Sequence, residues 1–154
     1  MIKPVIGLAA ALTALAVPAW AQDAVRCPMR SAVYEAPNGA YSVAFHHATA
    51  IPDHYPGFDI VMPGTASVAR FAVDAGNDAA QSAFRVGAGG GDGPYFFYAF
   101  DDRMVEAFGG AHDDEPAPRY LFFPRIEAMV APVVAPGGHP ALRQGMVVLH
   151  RCAR

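Results

Sequence analysis

The sequence is nearly devoid of lysine. Lys3 is the only one, and the other ten basic residues are arginines scattered along the chain. Fourteen acidic residues outnumber these eleven basic ones, and the formal net charge at pH 7 is −3. A nucleic-acid-binding protein usually has a basic stripe or cluster, because it must neutralise phosphates. Since no such cluster occurs, nucleic acid is excluded as the expected partner.

Residues that commonly act as nucleophiles are also scarce. The serines are Ser31, Ser42, Ser67 and Ser82, and none of them lies in a G-x-S-x-G motif. No histidine and acid are evidently paired with one of them, although a triad can be assembled from residues distant in sequence. The sequence therefore predicts a protein without enzymatic activity, with no catalytic residue and no cofactor.

Long apolar runs are limited to one, which extends from Val5 to Val17 and is too short to cross a membrane. Lys3 precedes it, Pro18 ends it, and Ala19-Trp20-Ala21 follows as a small-x-small cleavage site. This order is typical of a secretory signal peptide. We expect residues 1–21 to be cleaved, leaving a single β-rich domain that spans 22–154. The expected location is periplasmic or secreted, with no transmembrane span.

There are two cysteines, Cys27 and Cys152, one near each end of the expected mature chain. Export places them in an oxidising compartment, which predicts a disulfide between them. Cys27 is not expected to hold a lipid anchor, because Arg26 stands where lipid attachment requires a small residue. A disulfide also removes both thiols from the possible nucleophiles.

Alternating apolar and polar residues dominate the chain, and this period of two is typical of β-strands. Asn38-Gly39 is a strong signal for a hairpin turn between the first two strands. The segments predicted to be strands are 31–36, 41–46, 58–62, 68–73, 81–86, 95–100, 103–108, 119–123 and 145–152. Only 125–130 has the spacing of a short helix. The predicted fold is all-β, a small antiparallel sandwich or barrel of roughly eight or nine short strands, with its termini joined by the disulfide.

Several histidines and acids could form a metal site. The candidate ligands are His46, His47, His54, His112 and Asp113. Zinc and copper need three or four such side chains converging from a rigid frame. Because His46 and His47 are adjacent on a predicted strand, they should point to opposite faces. No H-x-H or H-E-x-x-H spacing supports a metal site, so it is kept as an alternative only.

Aromatic residues concentrate in two predicted strands, 95–100 and 120–123, on both faces of each strand. One interpretation is a sheet buried on both sides, which produces continuous apolar runs. The other is an exposed aromatic face that contacts a partner. Arginines border these strands. The candidate binding surface comprises Tyr95, Tyr98, Arg103, Arg119, Tyr120 and Arg125.

Two acidic pairs and a glycine-rich stretch are expected to form loops. Asp101-Asp102 and the 112–115 segment lie at predicted turns, where aspartate commonly caps the backbone and contacts water. The 87–94 stretch lacks the Lys-Ser/Thr of a phosphate-binding loop, and it precedes a strand rather than a helix. We therefore expect a flexible connection there.

These features favour a non-enzymatic binding module of the cell envelope, whose partner is a protein or a small envelope ligand. One concrete form is an inhibitor of an envelope-active hydrolase, which would present an acidic or aromatic loop to a basic cleft. The alternative is a periplasmic metal-binding protein that uses the loop histidines. A third hypothesis is an enzyme of unfamiliar type in the same loops, which would need a cleft containing a strongly perturbed Asp or His.

Overall fold

The computed structural model describes residues 25–48, 56–64, 68–74, 80–87, 94–107, 112–133, 142 and 145–154. Within these residues eight strands form one closed antiparallel barrel in sequence order, and the last strand pairs with the first. The strands are β1 (Ala32–Glu35), β2 (Ser42–His47), β3 (Pro56–Val61), β4 (Val68–Asp74), β5 (Gln81–Arg85), β6 (Tyr95–Phe100), β7 (Tyr120–Phe122) and β8 (Met146–Cys152). The helical elements are a 3-10 turn (Met29–Ser31) and the helix α1 (Ile126–Val130).

The structure confirms the all-β antiparallel prediction and decides for the barrel over the sandwich. No helix in the described part of the chain is long and apolar enough to cross a membrane. The predicted signal peptide lies outside the described residues, as does most of the glycine-rich stretch.

The interior of the barrel is filled by aromatic rings from alternate strand positions. Phe58 is completely buried at the centre, with its ring centroid 5.1 Å from those of Phe45 and Phe71. Phe97 and Phe123 pack against it at 5.9 and 5.7 Å. These separations are those of contacting rings. The core is therefore packed by the chain's own side chains.

Helix α1 packs on the barrel through the face that the sequence predicted. Ile126, Met129 and Val130 are all buried. Arg85, at the end of β5, donates hydrogen bonds from Nη2 to the backbone oxygens of Ala128 and Met129, at 3.2 and 2.6 Å. A positive charge is favourable at the carbonyl end of a helix. Arg85 therefore fastens the helix to the barrel.

The chain ends are joined at the seam between β1 and β8. Ala32 is paired with Cys152 in this ladder. The predicted Cys27–Cys152 disulfide is present, with a Cα–Cα distance of 5.6 Å. A second, shorter pairing holds the segment before β1, where the backbone N–H of Met29 donates to the oxygen of Glu115 at 2.8 Å. The N-terminal segment is thus tied both to the last strand and to residues 112–118.

One predicted hairpin is present, but its second arm is not a strand. In the described part of the 103–108 segment, the chain turns at 101–105, and Glu106 and Ala107 pair back with Phe100 and Ala99. The Asn38-Gly39 turn, in contrast, is confirmed, with Gly39 at a φ of 66°. Glycine adopts this left-handed conformation without a steric penalty.

Candidate functional site

The outer surface of β6 and β7 presents aromatic rings to solvent. We call this surface the aromatic face, and its members are Phe96, Tyr98, Phe100, Tyr120 and Phe122. Tyr98 is in register with Phe122, and Phe100 is in register with Tyr120. Phe96 is 49% exposed and Phe122 is 36% exposed, so both rings lie outside the core. One side of these strands is therefore core and the other is an exposed apolar surface. The sheet is not buried on both sides, and contact of the exposed side with a partner stays a prediction.

The structure divides the predicted tyrosines between the two sides. Tyr98 and Tyr120 lie on the aromatic face, half-buried among their neighbours. Tyr95 is only 6% exposed and packs edge-on against Phe71, at 5.7 Å between centroids. Tyr95 points inward because it is two residues before Phe97 on β6, and alternate residues of a strand lie on the same face. Tyr95 is therefore a core residue and does not belong to a binding surface.

The three predicted arginines occupy different positions. Arg119 is next to the aromatic face, where its guanidinium lies 5.9 Å from the centroid of Tyr120 and its Nη1 donates to the oxygen of Leu149. Arg103 is exposed in the turn after β6, and Arg125 is exposed just before α1. Arg119 is thus the arginine that the structure places directly against an aromatic ring of the face.

A short hairpin continues β6 beyond the aromatic face. We call residues 100–106 the tip hairpin. Met104 and Val105 are exposed by 53% and 59%, and Asp102, Arg103 and Glu106 are exposed around them. Asp101 fulfils the turn role that the sequence predicted, because its Oδ1 accepts hydrogen bonds from the backbone N–H groups of Arg103 and Val105. The tip hairpin combines an apolar tip with acidic flanks.

An open cleft of about 610 Å³ lies at the β1–β8 seam, beside the aromatic face. Val148 lines it and is in register with Tyr120 across the β7–β8 ladder. Its ionisable lining comprises Glu35, His150 and Arg119, with Glu35 Oε2 3.5 Å from His150 Nδ1. The cleft is thus a separate, mixed polar and apolar depression beside the aromatic face, with Arg119 between them.

The histidines proposed as metal ligands have separate partners. His46 lies 3.3 Å from Asp59 through Nε2, whereas the Nδ1 of His47 contacts the carboxylate of Asp113. Asp113 is buried rather than solvated, in contrast to the turn role expected for its segment, and its Oδ1 has no hydrogen-bond partner among the described residues. The local sequence does not signal this burial, because the contacts of Asp113 are with distant residues: its carboxylate contacts His47, and its backbone oxygen accepts from the N–H of Arg30 at 3.0 Å.

The described residues include no group of three or more metal-ligating side chains. Of the predicted set, the structure brings together His47 and Asp113, with His112 next to Asp113 in sequence. His54 lies outside the described residues. A zinc site needs at least three converging protein ligands, and the described members of the predicted set do not supply them.

Asp59 forms an ion pair with Arg70 on the outer side of β3 and β4. Arg70 donates from Nε and Nη2 to the two carboxylate oxygens, at 2.9 and 3.1 Å. Partial burial acts to raise the pKa of Asp59, but the hydrogen bonds and charges of Arg70 and His46 together outweigh it, and the pKa is lowered. The same pair raises the pKa of Arg70.

This lowered pKa predicts an acid-dependent loss of stability. The ionised pair stabilises the fold above the unfolded-state pKa, near 4, and the contribution disappears as the pH falls through the lower folded-state pKa. We expect Asp59→Asn to reduce the free energy of unfolding by about 1 kcal/mol or less at pH 7, because Arg70 is largely exposed. Urea unfolding at several pH values from 7 down to 2 should show the two proteins converging. An equal difference at both ends of the range would contradict the prediction.

Comparisons of the chain with protein families, with curated proteins and with solved structures found no match. The function therefore has to be argued from the surface itself. Four exposed residues of the aromatic face and the tip hairpin are absent from the candidate surface predicted from the sequence: Phe96, Phe122, Met104 and Val105. The aromatic strands that hold Phe96 and Phe122 are visible in the sequence, but their continuous apolar character does not show which rings face outward. The exposure of Met104 and Val105 depends on a turn, where the sequence predicts a strand.

Proposed function

We propose that the protein is an exported, non-enzymatic binding module of the cell envelope, and that it docks through its aromatic face onto another protein. The observation that carries this proposal is the exposure of Phe96 and Phe122 on a rigid sheet. Soluble proteins keep large contiguous apolar patches covered unless these serve as contacts. Aromatic residues are also the side chains most enriched at protein interfaces.

Two further features support a protein partner. The barrel interior is filled by rings such as Phe58 and Phe97, which leaves the outer surface for recognition. The chain has a net charge of −3, and three of the four charged residues of the tip hairpin are acidic. Opposite charge speeds encounter and selects partners, so a basic protein surface is the complementary one. An envelope-active hydrolase with a basic cleft fits this description, which makes inhibition the specific activity that we propose.

The aromatic face can be tested by removing its two most exposed rings. We expect Phe96→Ser combined with Phe122→Ser to weaken binding to a purified basic peptidoglycan hydrolase by about 10-fold or more, because interface aromatics often dominate binding energy. Binding and hydrolysis of labelled peptidoglycan would be measured on a set of such enzymes. Val68→Ser is the matched control, since Val68 is 40% exposed on β4, outside the aromatic face.

Two outcomes would contradict the proposal. If the double variant binds as tightly as the wild type, the aromatic face is not the contact surface. If the wild type binds none of the enzymes at concentrations on the order of 100 µM, which corresponds to only weak affinity, the inhibitor proposal is wrong.

A further inference from the structure

We infer that the tip hairpin enters a concave cleft of the partner, with Met104 and Val105 in an apolar pocket and the acidic flanks against a basic rim. This inference rests on the proposed function and assigns the insertion step to one structural element. The hairpin begins at Phe100, which is itself a member of the aromatic face. The two surfaces are therefore continuous and can contact one partner together.

The hairpin is held in one conformation by its own hydrogen bonds. Asp101 Oδ1 accepts from the backbone N–H groups of Arg103 and Val105, at 2.8 and 2.9 Å. The N–H of Asp101 donates to the oxygen of Val105 at 2.9 Å, which closes the turn. A loop that is ordered before binding loses less conformational entropy on association. The hydrogen bonds of Asp101 therefore prepare the tip for insertion.

The base of the hairpin is anchored to the barrel. The N–H of Ala107 donates to the oxygen of Ala99 at 2.9 Å, and Glu106 bridges to Phe100. Because β7 already occupies one edge of β6, the returning arm pairs with the other edge. The tip is thus presented on a rigid support rather than on a long loop.

The side chains at the tip favour an apolar pocket with a charged rim. Met104 adopts a φ of 59°, a left-handed conformation that is uncommon for a residue with a side chain. It is more than half exposed and adjacent to Val105, which is more exposed still. Methionine is flexible and polarizable, which suits it to irregular apolar pockets at binding surfaces. Strained conformations are often retained where they contribute to function.

The acidic residues specify the charge of the partner. Asp102 and Glu106 are exposed on either side of the apolar tip, with Arg103 as the one basic residue between them. A convex apolar tip bordered by carboxylates is complementary to a concave pocket bordered by arginine or lysine. We therefore expect the partner's cleft to be basic at its rim and apolar at its base.

The inference is tested with tip variants of the full chain against the basic peptidoglycan hydrolase that binds the wild type most tightly. We expect Met104→Ser combined with Val105→Ser to weaken binding by about 10-fold or more. Asp101→Ala should also weaken binding, because it removes the acceptor that orders the turn. Asp101→Asn retains that oxygen and should bind more tightly than Asp101→Ala. Circular dichroism and thermal unfolding would confirm that each variant is folded.

The outcomes separate this inference from the proposed function. Insertion of the hairpin is supported if the tip variant loses binding and Asp101→Asn binds more tightly than Asp101→Ala. Binding at the wild-type level by the tip variant, while Phe96→Ser with Phe122→Ser is weakened, overturns insertion but leaves the aromatic face as the contact. Wild-type protein that binds none of the enzymes overturns both. If Asp101→Ala does not fold, the binding of the tip variant still tests insertion, because Met104 and Val105 are exposed and their replacement should not prevent folding.

Discussion

Removing the Cys27–Cys152 disulfide is expected to lower the free energy of unfolding by about 3–5 kcal/mol. The bridge closes a loop of 125 residues, so its loss restores much conformational freedom to the unfolded chain. Equilibrium unfolding in urea would compare wild type with Cys27→Ala combined with Cys152→Ala. Alanine suits position 27, because Cys27 is 3% exposed and a serine would bury a hydroxyl group.

The control for the disulfide prediction uses a reductant. Reducing the wild type should bring its stability close to that of the double variant, and the double variant should not respond. A double variant within about 1 kcal/mol of the oxidised wild type would show that the barrel does not depend on the bridge.

Phe58→Ala is expected to lower the free energy of unfolding by about 3–5 kcal/mol. Phe58 is completely buried and contacts rings from four other strands or their ends, so its truncation leaves a cavity that the rigid barrel cannot easily fill. Chemical denaturation followed by circular dichroism would measure the loss. Phe58→Leu should cost less, because it retains more of the volume.

Phe96→Ala is the matched control for the core prediction. It removes the same kind of ring, but Phe96 lies on the outer face of the sheet and is 49% exposed. We expect a loss of about 1 kcal/mol or less, as for most surface substitutions. Equal losses for Phe58→Ala and Phe96→Ala would contradict the assignment of inner and outer faces.

Local alternation was enough to predict most of the strands, because a half-buried strand has a polar side and an apolar side. In β2, Val43 and Phe45 are buried while Ser42 and Ala44 are only half-buried. The predicted disulfide indicated that the two ends of the chain meet, but the closure of the barrel was not predictable from alternation. It depends on the register of β1 against β8, with Ala32 paired to Cys152, and no local pattern determines that register.

The candidate surface was only partly predictable for a related reason. In β6 both sides are aromatic, so alternation alone does not say whether Tyr95 or Phe96 faces inward. The orientation of β6 in the folded barrel determines this, because Tyr95 and Phe97 lie on the same side of the strand and that side faces the core. The contact between Asp113 and His47, which is distant in sequence, is likewise not signalled by the local sequence. Such contacts arise only once the chain has folded.

The closed barrel also restricts how a partner can be recognised. Every described strand has a hydrogen-bonded neighbour on each edge, and the edge of β6 that extends past β5 is occupied by Glu106 and Ala107. Along these paired edges no strand can be added to the sheet, a mode of binding in which main-chain hydrogen bonds supply affinity. The proposed docking would therefore depend on side chains, which leaves the exposed rings and the tip residues to select the partner.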